Sequence, residues 1–391
     1  MNVVLRVSIA LLCAAIAPAN AAHADQLDVP VGKALFDRLW IPAPASTKAT
    51  DGLGPLFSSR SCTGCHARGE GARVVTREDG QADIAGAVVR FGKADGTTDP
   101  YYGLQLQTNA VPKLMPEGEA RFLPSLQYKL TGPPLADGVH TSARLAPPLF
   151  GRGAFDDVAD EEILKRADPD DRNGDGIKGR ANITPRGIGR YGWKAAHVTL
   201  DDQIAHAFAI DIGLSSPKMP FPNGDCTKLE TECAALPNGE SAAFDGREIS
   251  TAMLGYVKSY IRTLRAPDEA ADSAGASLFA ATGCAQCHVP ALTTRDGRQI
   301  PAFTDLLLHD MGPGLDDGAG EPGVKSSEWR TAPLIGHRVP AEQRRFLHDG
   351  SAATVEEAIG KHGGEAERSR DLFVALSPDD KKRLVDYVNG L

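Results

Sequence analysis

The sequence predicts a mainly α chain of two helical domains, the first carrying long loop insertions. Three observations lead there. The pattern Cys-x-x-Cys-His occurs twice, in "LFSSRSCTGCHAR" (56–68) and "LFAATGCAQCHVP" (278–290), each time with Leu-Phe at the same offset before it. Each half closes on an amphipathic segment: Met253, Leu254, Val257, Ile261 and Leu264 stripe "ISTAMLGYVKSYIRTL", and Leu384, Val385 and Val388 stripe "PDDKKRLVDYVNGL". Between them "RAPDEAADS" is polar and contains Pro267, as a linker would.

The expected order is a leader over 1–24, a first domain over 25–265, a linker over 266–273 and a second domain over 274–391. The leader follows from an early Arg6, an apolar run from Val7 to Ile16 and small residues at Ala19, Ala21, Ala22 and Ala24. That is the pattern of a secretory signal, cleaved after Ala21 or Ala24. The run is too short to span a bilayer, and no later stretch is apolar enough to do so. The mature chain is expected in an oxidising compartment, most simply a bacterial periplasm, with no membrane insertion. The stretch from Ala67 to about Asp157 is rich in Gly and Pro and reads as loops with a small hairpin.

The chain has 391 residues, 42% of them hydrophobic, and a net charge of −9. Its basic residues are scattered, which argues against a nucleic-acid surface. Seven cysteines become six once Cys13 leaves with the leader. Cys226 and Cys233 flank a polar loop and are expected to form a disulfide.

The other four cysteines belong to the two pentapeptides, Cys62, Cys65 and His66, and Cys284, Cys287 and His288. Two spacers let both thiols reach the two vinyl groups of one porphyrin, and the next residue then offers an imidazole to the iron. A dithiol redox pair needs no such His, and a zinc site needs further ligands. The expectation is two covalent c-type haems, one in each cytochrome c-like domain.

A second constellation lies in "ADPDDRNGDGIKGRAN". Asp171, Asn173 and Asp175 alternate around Gly174 and Gly176, as oxygen donors to Ca²⁺ do. Asn182 stands where a closing Glu would be. The competing reading is a metal-free loop of Asx turns.

Function depends on the far face of each iron: two protein ligands make an electron carrier, and an open face binds peroxide or oxygen. Here the chain resembles a known family. The blocks "DGLGPLFSSRSCTGCH", "RYGWKAAHVTLDDQIAHAFAIDIGLSSP", "DLLLHDMG", "SSEWRTAPLIG" and "FLHDGSAATVEEAIGKHGGEA" look like the di-haem oxidoreductases, described as peroxidases and sometimes named thiol oxidoreductases. The resemblance covers nearly the whole mature chain. That family is distantly similar to bacterial di-haem cytochrome c peroxidases, to the di-haem enzyme of methylamine dehydrogenase maturation and to rubber oxygenases.

The resemblance implies roles residue by residue. The peroxidases ligate the electron-transfer haem by a Met after a His-Asp-Gly block, and the matching residue here is His362, a stronger donor. Its rivals are His348, His309 and Met311. The peroxidase pattern also implies Trp193 between the haems, with Gln203 and Asp211 in the distal pocket of the first. His197 and His206 are close enough in sequence to occupy that face. The implied activity is reduction of hydrogen peroxide with electrons from a small donor protein of the cytochrome c or cupredoxin type. A non-enzymatic carrier and an O₂-using oxygenase are the alternatives. A thiol chemistry is discounted, because thioether bonds would consume both Cys pairs.

Overall fold

The computed structural model describes residues 20–391 apart from 267–271. The body of the expected leader and the middle of the expected linker therefore lie outside the described residues. No helix among those described is long and apolar enough to cross a membrane.

The mainly α expectation is overturned. About 30% of the chain is helical and 18% is strand, and among the described residues the strands form seven separate two-stranded ladders. The fold is mixed α and β. The Gly- and Pro-rich stretch supplies three of the ladders: Arg73–Thr76 with Ala82–Ala85, Ala87–Gly92 with His140–Leu145, and Gly118–Arg121 with Gln127–Leu130. In "AVVRFG" Val89 and Phe91 are buried while Val88 and Arg90 are less so, the period-2 signature of a strand. Segments of four to six residues between turns give helical and strand periodicities little room to differ. The C-terminal half adds Ala291–Thr293 with Gln299–Pro301 and Leu308–Asp310 with Glu328–Arg330.

The described residues include ten α-helices among these ladders: α1 (Asn20–Asp37), α2 (Cys62–Cys65), α3 (Asp160–Leu164), α4 (Leu200–Ala207), α5 (Thr231–Ala234), α6 (Thr251–Thr263), α7 (Ser273–Ala281), α8 (Val355–Gly360), α9 (Glu367–Val374) and α10 (Pro378–Gly390). Their starts are written in the sequence. Thr199 and Asp202 form a reciprocal capping box on α4, and Ser250 caps α6 through Met253 N–H. Ser377 caps α10 with Pro378 in its first turn.

The expected stripes are core. Met253, Leu254, Val257 and Ile261 of α6 are buried, with Tyr260 added, and α6 packs against α1. The two backbones meet at Gly32, where a Cβ would lie 1.8 Å from the Tyr256 carbonyl oxygen. In the C-terminal half Leu384 and Tyr387 of α10 are buried, and Tyr387 packs with Phe279 and Phe303. The largest core cluster joins Phe36 and Trp40, α4 and α6 to Leu292, Ile300, Leu306 and Leu307 from beyond the linker.

Candidate active site and haem pockets

The C-terminal pentapeptide opens onto a cavity lined by Cys284, Cys287 and His288 and, from α8 and the turn after it, Ala358, Ile359 and His362. His288 Nδ1 is 3.1 Å from the Phe303 carbonyl oxygen, and His362 Nδ1 is 2.8 Å from that of Ala358. A carbonyl only accepts, so each Nδ1 carries the proton and each Nε2 keeps its lone pair. Burial is the largest cause lowering both imidazoles, His288 to about 4, with His362 as its next cause. Both are therefore neutral, the form that binds iron. Two neutral imidazoles, two thiols and apolar walls fit a haem held on both faces.

The two histidine rivals of His362 are otherwise engaged. His309 has Asp305 Oδ2 at 2.8 Å from Nε2 and Glu365 Oε2 at 2.7 Å from Nδ1, so neither nitrogen has a free lone pair for iron. His348 is stacked on Trp329, with ring centroids 3.7 Å apart, and its Nε2 is 3.5 Å from Asp317 Oδ2. Met311 lines the cavity.

At the N-terminal pentapeptide, α2 presents Cys62 and Cys65, and His66 follows as its C-cap. Burial first, and then the Cys65 and Asp211 charges, pushes the Cys62 thiol up to about 12; burial and then Asp211 do the same to Cys65. Burial holds His66 neutral at about 4. Buried polar atoms without a hydrogen-bond partner here include His66 Nδ1 and Arg73 Nη1. An uncommitted guanidinium N–H is what a haem propionate would take up, so this pocket fits the group as well.

The sequence-predicted distal residues come from α4 and its continuation. The α-helix widens into a π turn over Phe208–Ile212, which carries Asp211. The Asp211 backbone carbonyl accepts Ser58 and Ser59 N–H at 2.9 and 3.0 Å, fixing it against the loop before Cys62. Gly213, at φ +83°, makes this possible, since a Cβ there would lie 2.5 Å from Gly54 Cα. Burial raises the Asp211 carboxyl, against the pull of Arg90 and a 2.9 Å hydrogen bond from Gln105 Nε2. Gln203 and His197 both face Gly192, next to Trp193. His206 Nε2 lies 3.3 Å from Arg90 Nη1 and Nη2, and its ring centroid is 4.5 Å from that of His197. Asp211 is thus brought to the thiols, and Gln203 to the Trp193 side.

Trp193 packs against Ala72 and, from the ladders that follow the first pentapeptide, Ile84 and Leu145, and also lines the C-terminal cavity. Its Nε1 donates to the Leu145 carbonyl at 2.8 Å, and its ring centroid is 6.4 Å from that of His348.

In the aspartate-rich loop, Asp171 Oδ1 accepts Gly176 N–H, Asn173 Oδ1 accepts Asp175 N–H, and Asp175 Oδ1 accepts Ile177 N–H. The last two are Asx turns; the first spans five residues and closes the loop. Asn182 does not close the loop: it is buried and donates to the Lys194 and Ala195 carbonyls. Cys226 and Cys233 form the expected disulfide.

Sequence reasoning missed Arg90, Gln105 and Arg73. The signals are a lone Arg inside the apolar strand "AVVRFG" and the alternation "LQLQ", whose Gln105 and Gln107 are both fully buried. A buried Gln must place its amide, and here both hold the Asp211 turn: Gln107 Nε2 donates to the Ile210 carbonyl at 2.9 Å.

Comparison with known proteins follows the same lines. Residues 125–391 match the family model described as "Di-haem oxidoreductase, putative peroxidase". No curated protein sequence matches. Among solved structures, hydrazine synthase of Kuenenia stuttgartiensis, pressurised with xenon, aligns at 13% identity. The alignment covers 100% of this chain and 98% of that one, with a TM-score of 0.36, too low to carry an argument.

Proposed function

Because the chain belongs to the di-haem oxidoreductase family, for which haem cofactors and a redox function follow, we propose that it is a periplasmic enzyme reducing hydrogen peroxide to water. Electrons come from a small cytochrome c or cupredoxin, enter at the covalent haem of Cys284 and Cys287, and are used at that of Cys62 and Cys65.

One observation supports this reading: the groups gathered at the two pentapeptides differ. In the C-terminal cavity His288 and His362 each keep Nε2 free, which suits a haem closed on both sides. At the N-terminal pentapeptide the group beside the thiols is instead Asp211, its carboxyl raised by burial, and Gln203, on the Trp193 side, has an uncommitted Oε1.

When bound, the haem iron supplies electrons to the peroxide O–O bond. The rest is work for side chains. Asp211 moves a proton from the near to the far oxygen, so that water rather than hydroxide leaves. Gln203 orients the peroxide, and Arg90 supplies positive charge beside Asp211 as negative charge develops. Trp193 lies between the pockets, as an electron relay must.

Stopped-flow oxidation of the reduced protein tests the reading. One peroxide should consume two electrons rapidly, and Gln203→Ala and Asp211→Asn should each slow that step by about 10², with haem content and electron uptake intact. Slow oxidation indifferent to both changes would make the protein a carrier. Faster reaction with O₂ than with peroxide would make it an oxygenase.

A further inference from the structure

Behind Asp211 a line of buried carboxyls leads away from the N-terminal pocket. Gln105 connects the first two members: its Nε2 donates to Asp211 Oδ1 at 2.9 Å, and its backbone N–H donates to Asp225 Oδ2 at 3.0 Å. The Gln105 Oε1 is buried without a protein donor, an acceptor for a water bridging Asp225 and Asp211. Asp225 lies within reach of the Glu117 and Glu230 charges. Those two side chains are 4% and 7% exposed and face one another.

The Glu117–Glu230 contact has a chemical consequence. Glu117 Oε2 accepts Gln107 N–H, and Glu230 Oε2 accepts Thr227 N–H at 2.9 Å. Glu117 Oε1 is buried with no donor aimed at it. Two carboxylate oxygens attract only when a proton lies between them. Burial, the largest cause in each case, pushes Glu117 up to about 10 and Asp225 to about 7, and raises Glu230 as well. Acids buried beside acids are costly when ionised and far less so when they hold protons to give. The outer end is the turn bounded by the Cys226–Cys233 disulfide, where the exposed Glu232 approaches Tyr101 together with Glu230.

We propose that Glu230, Glu117, Asp225 and Asp211 form a proton-delivery line from the surface beside the Cys226–Cys233 disulfide to the N-terminal haem pocket. The inference rests on the peroxide-reduction reading and deepens it. Each peroxide takes two electrons, passed singly from the donor protein, and two protons; its O–O bond breaks and two waters leave. The protons arrive on the peroxide oxygens by way of Asp211. Each vacated carboxyl is refilled from the one behind it, ending at solvent beyond Glu230. Glu117, Asp225 and Glu230 are relay residues and do not touch the peroxide.

The test uses the reduced, haem-loaded protein in weak buffer with a pH-indicator dye, following proton uptake and haem oxidation together after mixing with peroxide. In Glu117→Gln and Asp225→Asn both signals should slow in step by about 10- to 100-fold, with a larger solvent deuterium effect. Haem content and reduction by the donor should be unchanged. Glu117→Asp, which keeps a carboxyl, should recover most of the rate, and Glu119→Gln, on the exposed neighbour, should match the wild type. Infrared spectra of the wild type at neutral pH should show a protonated carboxyl that Glu117→Gln removes. Wild-type rates in both relay variants, or no such band, would overturn the proposal. A wild type inert to peroxide would instead remove the peroxidase reading, and the infrared comparison alone would then decide whether the Glu117–Glu230 proton exists.

Discussion

His288 and His362 line one cavity, and each has Nδ1 tied to a backbone carbonyl, those of Phe303 and Ala358, so that both keep Nε2 for a metal. The first is placed by a motif, the second by a turn more than seventy residues later, at the end of α8. Replacing His362 by Met substitutes a weaker, softer donor and should raise the potential of the C-terminal haem, within the roughly 0.8 V range that axial ligands span. His362→Ala should turn its spectrum towards high spin. Unaltered spectra in both variants would remove His362 from the ligand set.

Intact mass should show two haem additions on protein matured in cells competent for cytochrome c assembly. Cys284→Ala should leave at most one, with loss of electron uptake from the donor. A wild type with fewer than two additions contradicts covalent attachment at both pentapeptides.

His197 and His206 supply a pH dependence of stability. Burial is the largest cause lowering each, with Arg90 acting on both, His197 to about 4 and His206 well below its ordinary value. A depressed folded pKa means that the unfolded chain takes up protons first. The stability of the neutral pair is therefore complete above about pH 6.5 and is lost as pH falls from there towards 4. For His197 the shift corresponds to about 3 kcal/mol. Thermal unfolding between pH 7 and 4.5 should show this fall, and a His197→Asn/His206→Asn double variant should show a shallower one. Parallel curves would mean that other groups dominate.

Gly32→Ala should lower stability by about 1–3 kcal/mol, the usual cost of overpacking, because the new Cβ would meet the Tyr256 carbonyl of α6. The haem spectra should not change, since the added Cβ meets Tyr256 and Tyr260 of α6 and not α2 with its thiols. Urea titration against the wild type measures the loss; an unchanged midpoint would mean that α1 and α6 separate at no cost.

The chemistry was more legible in the sequence than the architecture. Covalent attachment requires a contiguous pattern, so Cys62, Cys65, His66, Cys284, Cys287 and His288 can be read from one line of text. The stripes of α6 and α10 were legible for the same reason: a periodic face is a local property. The fold class was not, because the ladders between 67 and 145 join short segments whose partners lie up to 58 residues away. Helical stripes are visible within one turn, whereas pairings depend on which distant strand arrives.

The sequence by itself determined where the two Cys-x-x-Cys-His patterns lie, where the two long helical stripes run and which two cysteines pair in the disulfide. Tertiary structure alone leaves Nε2 of His362 free while both His309 nitrogens meet Asp305 and Glu365 and the His348 ring stacks on Trp329. It also decided that Asp211 has Gln105 and Arg90 beside it and a row of buried acids behind. A covalent motif carries its geometry within a few bonds. A lone pair, a buried charge or a shared proton is defined by its surroundings, and those exist only once the chain has folded.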